Sequence, residues 1–179
     1  MNNKMDKIII VDKNDKALGL EDKLKCHLGT GILHRAFSVF IFNKKGELLI
    51  QQRSAKKILW PLYWSNTCCG HPLEGEDYQQ AAERRLREEM GFTCPVKYIG
   101  KFQYQAKYKD IGSENEICAV LKGEYNGDVI INLDEVADWK WINFDELKKD
   151  VIINSNKYTP WFKMELEKFF KVNVNEMTQ

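Results

Sequence analysis

Between Asn66 and Phe92 the chain reads NTCCGHPLEGEDYQQAAERRLREEMGF. Two adjacent thiols, a glycine and a histidine stand directly before a segment with apolar or small residues at Tyr78, Ala81, Ala82, Leu86 and Met90. That spacing is the period of a helix with one buried face, and Gly91 is a suitable C-terminal stop. The stretch is therefore expected to fold as a loop of reactive side chains followed by a helix, Asp77 to Met90, whose other face carries Arg and Glu. Core packing alone does not require that combination.

Strand-like runs flank it on both sides. Lys7 to Val11 is a short apolar run closed by the turn Asp12-Lys13-Asn14-Asp15. Gly19 to Gly31 is mostly polar, contains Gly29-Thr30-Gly31, and reads as a loop or broken helix. His34 to Phe42, rich in β-branched and aromatic residues, predicts a buried strand. Asn43-Lys44-Lys45-Gly46 turns into Glu47 to Arg53, so these two runs are expected to pair as a hairpin. Ser54 to Trp64 shows no period and is expected to be an irregular loop. After the helix, Val96 to Lys109 and Glu114 to Glu124 predict strands joined through Asp110-Ile111-Gly112-Ser113. Asn126-Gly127 marks a turn, Val136 to Ile142 a final strand and Asp145 to Asp150 a short helix. Thr159-Pro160 opens a last helix, with Thr as N-cap and Pro in the first position. Strands interleaved with two or three helices predict an α+β or mixed α/β domain.

Composition narrows the partners. A chain of 179 residues, 44% of them apolar, can bury the core of one domain but not of two ordinary ones. Its 27 basic and 26 acidic side chains leave a formal charge of +1, so no global field favours nucleic acid or an anionic membrane. Near the N-terminus the apolar run Ile8 to Val11 is too short for an export signal or a membrane span. Five cysteines without such a signal are expected to be reduced thiols in a cytoplasmic protein.

His27, His34 and His71 are all the histidines in the chain, and Glu114 and Glu116 flank a single Asn. Residues i and i+2 of a strand project from one face, so these carboxylates can converge on one ion. Three imidazoles with two carboxylates suit Zn²⁺, Mn²⁺ or a similar cation, although lone histidines are ordinarily satisfied core or surface residues. On the helix, Arg84, Arg85 and Arg87 precede Glu88 and Glu89, and Arg85 shares a face with Glu89. An ion-paired, solvated surface is the ordinary account of such a pattern.

The spacing is nevertheless Gly70, five residues, Glu76, seven residues, Arg84, then Arg85-Leu86-Arg87-Glu88-Glu89-Met90-Gly91-Phe92. It resembles the Nudix box, a loop and helix with which a family of proteins handles diphosphates through divalent cations. One position departs, because the box carries Arg-Glu where this chain has Arg84-Arg85. Nudix hydrolases set several helix carboxylates on Mg²⁺ to activate water, so the replacement weighs against hydrolysis. Glu89 can still hold one Mg²⁺ against a substrate diphosphate.

Asn66-Thr67-Cys68-Cys69-Gly70-His71-Pro72, the pair Glu114 and Glu116, and the early His27 and His34 together resemble the type 1 isopentenyl-diphosphate isomerases, from about Lys23 to Trp161. The resemblance implies a single Nudix-like domain over 1–179, a mixed sheet flanked by helices. Its core would span about 34–161, with an N-terminal strand and metal-ligand loop at 6–33 and a C-terminal helix at 160–172. Cys69 and Glu116 would be the two proton-transfer groups, with Tyr104 as helper to Glu116. Cys68, pointing the other way in an extended segment, is expected to be a small buried hydrophobe.

By the same resemblance, His27, His34, His71, Glu114 and Glu116 would hold Zn²⁺, Mn²⁺ or Mg²⁺. Lys23, Arg53, Lys57 and Arg85 would bind the diphosphate, and Trp161 would face a cationic intermediate. Trp161 is equally readable as one aromatic of an amphipathic helix with Phe162, Leu166, Phe169 and Phe170. No flavin or other redox cofactor is implied. The expected partner is a small isoprenoid diphosphate, without nucleic acid or membrane. The oligomeric state stays open, a monomer being the simpler expectation. A Nudix hydrolase of a nucleoside or other diphosphate, and a non-catalytic module that binds diphosphates or a protein partner, stand as alternatives.

Overall fold

The sheet is assembled around one strand. In the computed structural model, which describes residues 7–174, His34–Phe42 is buried along nearly its whole length. A strand covered on both faces has no polar alternation, which is why this run is almost continuously apolar. Residue 6 of the expected N-terminal segment, and the chain ends 1–5 and 175–179, lie outside the described residues.

In chain order the described elements are β1 (Lys7–Val11), β2 (Ala17–Asp22), α1 (Lys23–Cys26), β3 (His34–Phe42), β4 (Leu48–Arg53), β5 (Trp64–Ser65) and β6 (Cys68–Gly70). There follow α2 (Tyr78–Met90), β7 (Val96–Tyr108), β8 (Gly112–Glu124), β9 (Val136–Ile142), α3 (Phe144–Ile153) and α4 (Pro160–Phe170). β3 runs parallel to β8, from His34 opposite Glu116 to Phe42 opposite Glu124, while the other pairings are antiparallel. The sheet is therefore mixed. The other edge of β3 is shared along its length: His34 pairs with Ile10 of β1, residues 37–39 with β6, and Phe42 with Leu48 of β4.

Each sheet face has its own core. Ala36, Phe40, Cys118, Val120, Trp161, Phe162 and Leu166 pack together on the α4 side. Phe37, Val39, Ile41, Cys68, Ala82, Leu86 and Met90 pack together under α2. Asp77 is the N-cap of α2 and forms a capping box with Gln80, and Gly91 closes the helix at φ 74°. A side chain at Gly91 would also meet the Ile130 carbonyl oxygen at 2.4 Å, so both conformation and space require glycine there.

Two expectations are corrected. Residues 19–22, expected in a loop, belong to β2, which pairs with β1 from Lys7–Asp22 to Val11–Ala17. β2 is an edge strand with largely exposed side chains, so it has backbone pairing but no apolar face to betray it. The second correction concerns β3 and β4, which share only the pair Phe42–Leu48 before β4 turns to β9 and β5. The Asn43–Gly46 turn forms, but it joins diverging strands.

Smaller shifts occur at element ends. Trp64 lies in β5, α3 is longer than expected, and β8 begins at Gly112. Thr159 sits at the N-cap of α4 without a capping bond; its hydroxyl instead meets Ser65 Oγ at 2.9 Å.

Candidate active site

β6, β7, β8, α1 and the start of α4 surround a cavity of about 620 Å³ lined by Lys23, His27, Arg53, Lys57, Cys69, His71, Arg85, Tyr104, Glu114, Glu116 and Trp161, among others. Of the residues singled out in the sequence, His34 and Glu89 are buried and do not line it.

The imidazoles converge. Their ring centroids are 4.8 Å (His27–His34), 5.5 Å (His27–His71) and 4.9 Å (His34–His71) apart. Ligand atoms of His27, His34, His71 and Glu116 all lie within 4.8 Å of one another. Backbone carbonyls set the tautomers: Nδ1 of His27 donates to Lys23 O at 2.6 Å, and Nδ1 of His34 to Ile32 O at 2.7 Å. In the neutral rings Nε2 is then a bare lone pair aimed at the cluster. His34 Nε2 has no hydrogen-bond partner, although it lies 3.4 Å from Glu116 Oε1. Glu116 Oε1 is also 3.3 Å from His71 Nε2.

Glu114 Oε2 lies 2.9 Å from His27 Nε2 yet makes no properly directed hydrogen bond. A neutral His27 would leave two lone pairs facing each other there, an arrangement that a cation relieves. Without one, a proton serves: burial acts to lower the His27 pKa, but the nearby Glu114 carboxylate outweighs it and draws it upward. His71 goes the other way, held neutral by burial and then by the neighbouring His34 and Lys23. Three imidazoles, one of them orphaned, and two carboxylates thus fit a divalent cation.

Adjacent to the cluster, Tyr104 donates its hydroxyl to Glu116 Oε2 at 2.6 Å. Burial alone would raise the Glu116 pKa, but the adjacent His34 imidazole and the Tyr104 hydroxyl bring it below the usual value. Cys69 is opposite in character. Burial, and after it the charge of Glu165, push the thiol up to about 12, so it keeps its proton. Its Sγ donates to Asn66 Oδ1 at 3.0 Å and lies 3.5 Å from Ser38 Oγ. Cys68, on the opposite face of β6, is fully buried in the core beneath α2.

Asn66, quoted in the sequence only as part of a motif and given no role there, is a hub. Its amide donates to Cys68 O at 2.7 Å and Val39 O at 3.2 Å, and its Oδ1 also accepts from Ser65 Oγ at 2.9 Å. Ser65 Oγ accepts from Trp161 Nε1 at 3.0 Å. One chain of hydrogen bonds therefore fixes both the thiol and the indole. Trp161 also packs edge-on against Trp60 and lies 5.1 Å below the Arg53 guanidinium, while Phe162 and Leu166 fill the core behind it.

At the other side of the cavity the cations gather. Burial lowers the Lys23 pKa, and the charges of Lys57 and Arg85 lower it further, as expected of three cations drawn together. Glu135, absent from the sequence reading, counters two of them. It pairs with Lys57 and with Arg85, the latter at 3.2 Å, and despite partial burial its carboxyl is held down to about 2. Arg85 further pairs with Glu88 at 2.7 Å and with Glu89. Glu89 Oε2 accepts from Gln51 at 3.0 Å, so both oxygens of this expected Mg²⁺ ligand are engaged, and Glu88 is the carboxylate that reaches the cavity. Arg53 is turned by the carbonyls of Leu59 and Trp60, at 2.9 and 3.1 Å.

Residues 32–162 match the NUDIX domain family. Over 162 residues the chain is 47% identical to "Isopentenyl-diphosphate Delta-isomerase 2" of Photorhabdus laumondii, covering 89% of this chain and 90% of that one. It is 38% identical to "Isopentenyl-diphosphate Delta-isomerase 1" of Aromatoleum aromaticum, covering 97% of this chain and 98% of that one. Among solved structures, a Deinococcus radiodurans protein superposes with a TM-score of 0.71 at 17% identity, over 91% of this chain and 99% of the other. A MutT protein from Methanosarcina mazei gives 0.63 at 20% identity, over 78% and 94%. At those identities the structural likeness speaks for the fold alone.

Proposed function

Because the chain belongs to the Nudix family and, within it, to the isopentenyl-diphosphate Delta-isomerases, we propose that its single domain interconverts isopentenyl and dimethylallyl diphosphate. Moving the double bond one position requires a proton added at the terminal alkene carbon and another removed from C2. An unactivated alkene is a very weak base, so the acid must be held in place where water is kept from the carbocation.

The observation that carries the reading is that the Cys69 thiol and the Glu116 carboxylate, the latter held by Tyr104, line one cavity, with burial raising the pKa of the thiol and the neighbours of Glu116 lowering that of the carboxyl. One group begins with a proton to give and the other with room to take one. Tyr104 holds Glu116 in place and supplies it with a short hydrogen bond. Trp161 presents an indole face to the developing cation, an attraction of roughly 0.5–2 kcal/mol. Lys23, Arg53, Lys57 and Arg85 bind the diphosphate, whose charge replaces that of Glu135.

His27, His34, His71, Glu114 and Glu116 would hold one divalent cation, Zn²⁺, Mn²⁺ or Mg²⁺, and a Mg²⁺ accompanying the diphosphate would fall to Glu89 only on displacing the Arg85 guanidinium that engages it. Bound there, such ions supply positive charge that fixes Glu116 and offsets the diphosphate.

Incubation with isopentenyl diphosphate and Mg²⁺ in D₂O tests the reading by NMR. Deuterated dimethylallyl diphosphate without released phosphate is expected. Inorganic phosphate or a monophosphate product would mean a hydrolase instead, and unchanged substrate a binding module.

A further inference from the structure

Glu165 of α4 is fully buried, and among the described residues no Lys, Arg or His pairs with it. Its Oε1 lies 3.7 Å from Cys118 Sγ, and its Oε2 has no hydrogen-bond partner at all. An unpaired carboxylate does not stay ionised in such a place. Ser38 stands between Glu165 and the cavity. Its Oγ neighbours the Glu165 carboxyl and lies 3.5 Å from Cys69 Sγ and 3.5 Å from Cys118 Sγ. Ser38 and Cys69 line the cavity; Glu165 lies behind them.

The donors can be counted along this line. A neutral Glu165 has one O–H to give, and Ser38 is the neighbouring hydroxyl that can accept it and pass a donor onward. Cys69 gives its own S–H to Asn66, which leaves its sulfur lone pairs on the Ser38 side. On the premise that Cys69 carries a reacting proton, we infer that Glu165 is a positioning residue for this reaction: as a neutral carboxylic acid it aims the Ser38 hydroxyl at the Cys69 sulfur. Ionised, Glu165 could only accept. The serine hydroxyl would turn towards it and leave the sulfur, and a negative charge would stand behind the thiol.

Burial pushes the Glu165 carboxyl up to about 8, against the hydrogen bonds of Ser38 and Cys118. The titratable groups facing it are Cys118 and Glu116 of β8 and Cys69 of β6. Both thiols are held protonated far above that pH and the Glu116 carboxyl is held below the usual carboxylate range, so among these facing groups Glu165 alone changes charge near pH 8. The arrangement is present below that pH and lost above it.

Glu165→Gln keeps the shape and a donor but cannot ionise, whereas Glu165→Leu removes the donor. Infrared spectra at about pH 6 are expected to show the carbonyl stretch of a protonated carboxylic acid in the unaltered protein and to lose that band in Glu165→Gln. In turnover, Glu165→Leu is expected to lower kcat by at least about tenfold with KM within about twofold, and Glu165→Gln to restore kcat to within about threefold. Activity of the unaltered enzyme should fall as pH rises through about 8, and Glu165→Gln should lack that limb.

The inference is overturned if the band is absent, if Glu165→Gln keeps the alkaline limb, or if folded Glu165→Leu retains full kcat. Should Glu165→Leu not fold, the Glu165→Gln profile decides. The infrared band needs no turnover, so a protein with the band and no isomerase activity would refute the premise about Cys69 while leaving the neutral acid standing.

Discussion

Cys68 and Cys69 are adjacent in the chain yet occupy different environments, because β6 turns successive side chains to opposite faces. Replacing Cys69 by Ala or Glu116 by Gln is expected to lower turnover of isopentenyl diphosphate by at least about 10²-fold, the usual contribution of a placed acid or base. Cys68→Ala should stay within roughly threefold, since it removes only a buried sulfur from the α2 core. Steady-state assays of the three variants decide it, and near-normal activity of Cys69→Ala would withdraw that residue from the chemistry. The alternation of Cys68 and Cys69, and the shared face of Glu114 and Glu116, were legible because they follow from strand geometry alone. Asn66, Ser38 and Glu135 were not, since an ordinary polar residue gains its role from what the fold sets beside it. Glu165 left a trace: it falls four residues after Trp161, on the apolar face of an amphipathic helix, where a carboxylate is out of place.

α1 and β8 meet where His27 is placed. Ser113 donates its backbone N–H to His27 O at 2.9 Å, and a Cβ on Gly112 would lie 2.2 Å from that same oxygen. Gly112→Ala is therefore expected to push the His27 segment off the cluster and weaken Zn²⁺ or Mn²⁺ binding by roughly 10–100-fold, the range for disturbing a ligand's support. Equilibrium dialysis against either metal measures it, and unchanged affinity would show that the segment yields without moving its imidazole. In the sequence, Gly112 reads only as part of a turn. The helix α2 was the most legible element, with period, cap and stop all local. β2 was the least, because an exposed edge strand is specified by the backbone of its neighbour. The divergence of β3 and β4 was also hidden, since β3 finds its long partner, β8, far along the chain.

Viewed entire, the molecule ties its N-terminal segment to the sheet through the histidine cluster, whose members come from the end of α1, from β3, from the loop after β6 and from β8. Metal that binds the folded chain and not its unfolded form must stabilise it, by about 2.7 kcal/mol at about 100 times Kd. For a chain of this size that is a rise in Tm of roughly 5–10 °C. Differential scanning calorimetry with and without Zn²⁺ or Mn²⁺ should show it, and His34→Ala should abolish it; equal Tm values with and without metal would contradict the site. Fold class was readable from the interleaving of strands and helix, whereas the division of the core into two faces depended on long-range pairing. The Ser65 hydroxyl that anchors the Trp161 indole has a consequence for the order in which the protein becomes an enzyme during synthesis. All four residues of the histidine cluster have been made by Glu116, but the indole arrives only at residue 161. On the proposed roles, a growing chain holds every metal ligand before it holds the indole that would face a cationic intermediate, so the ligands precede that wall in synthesis.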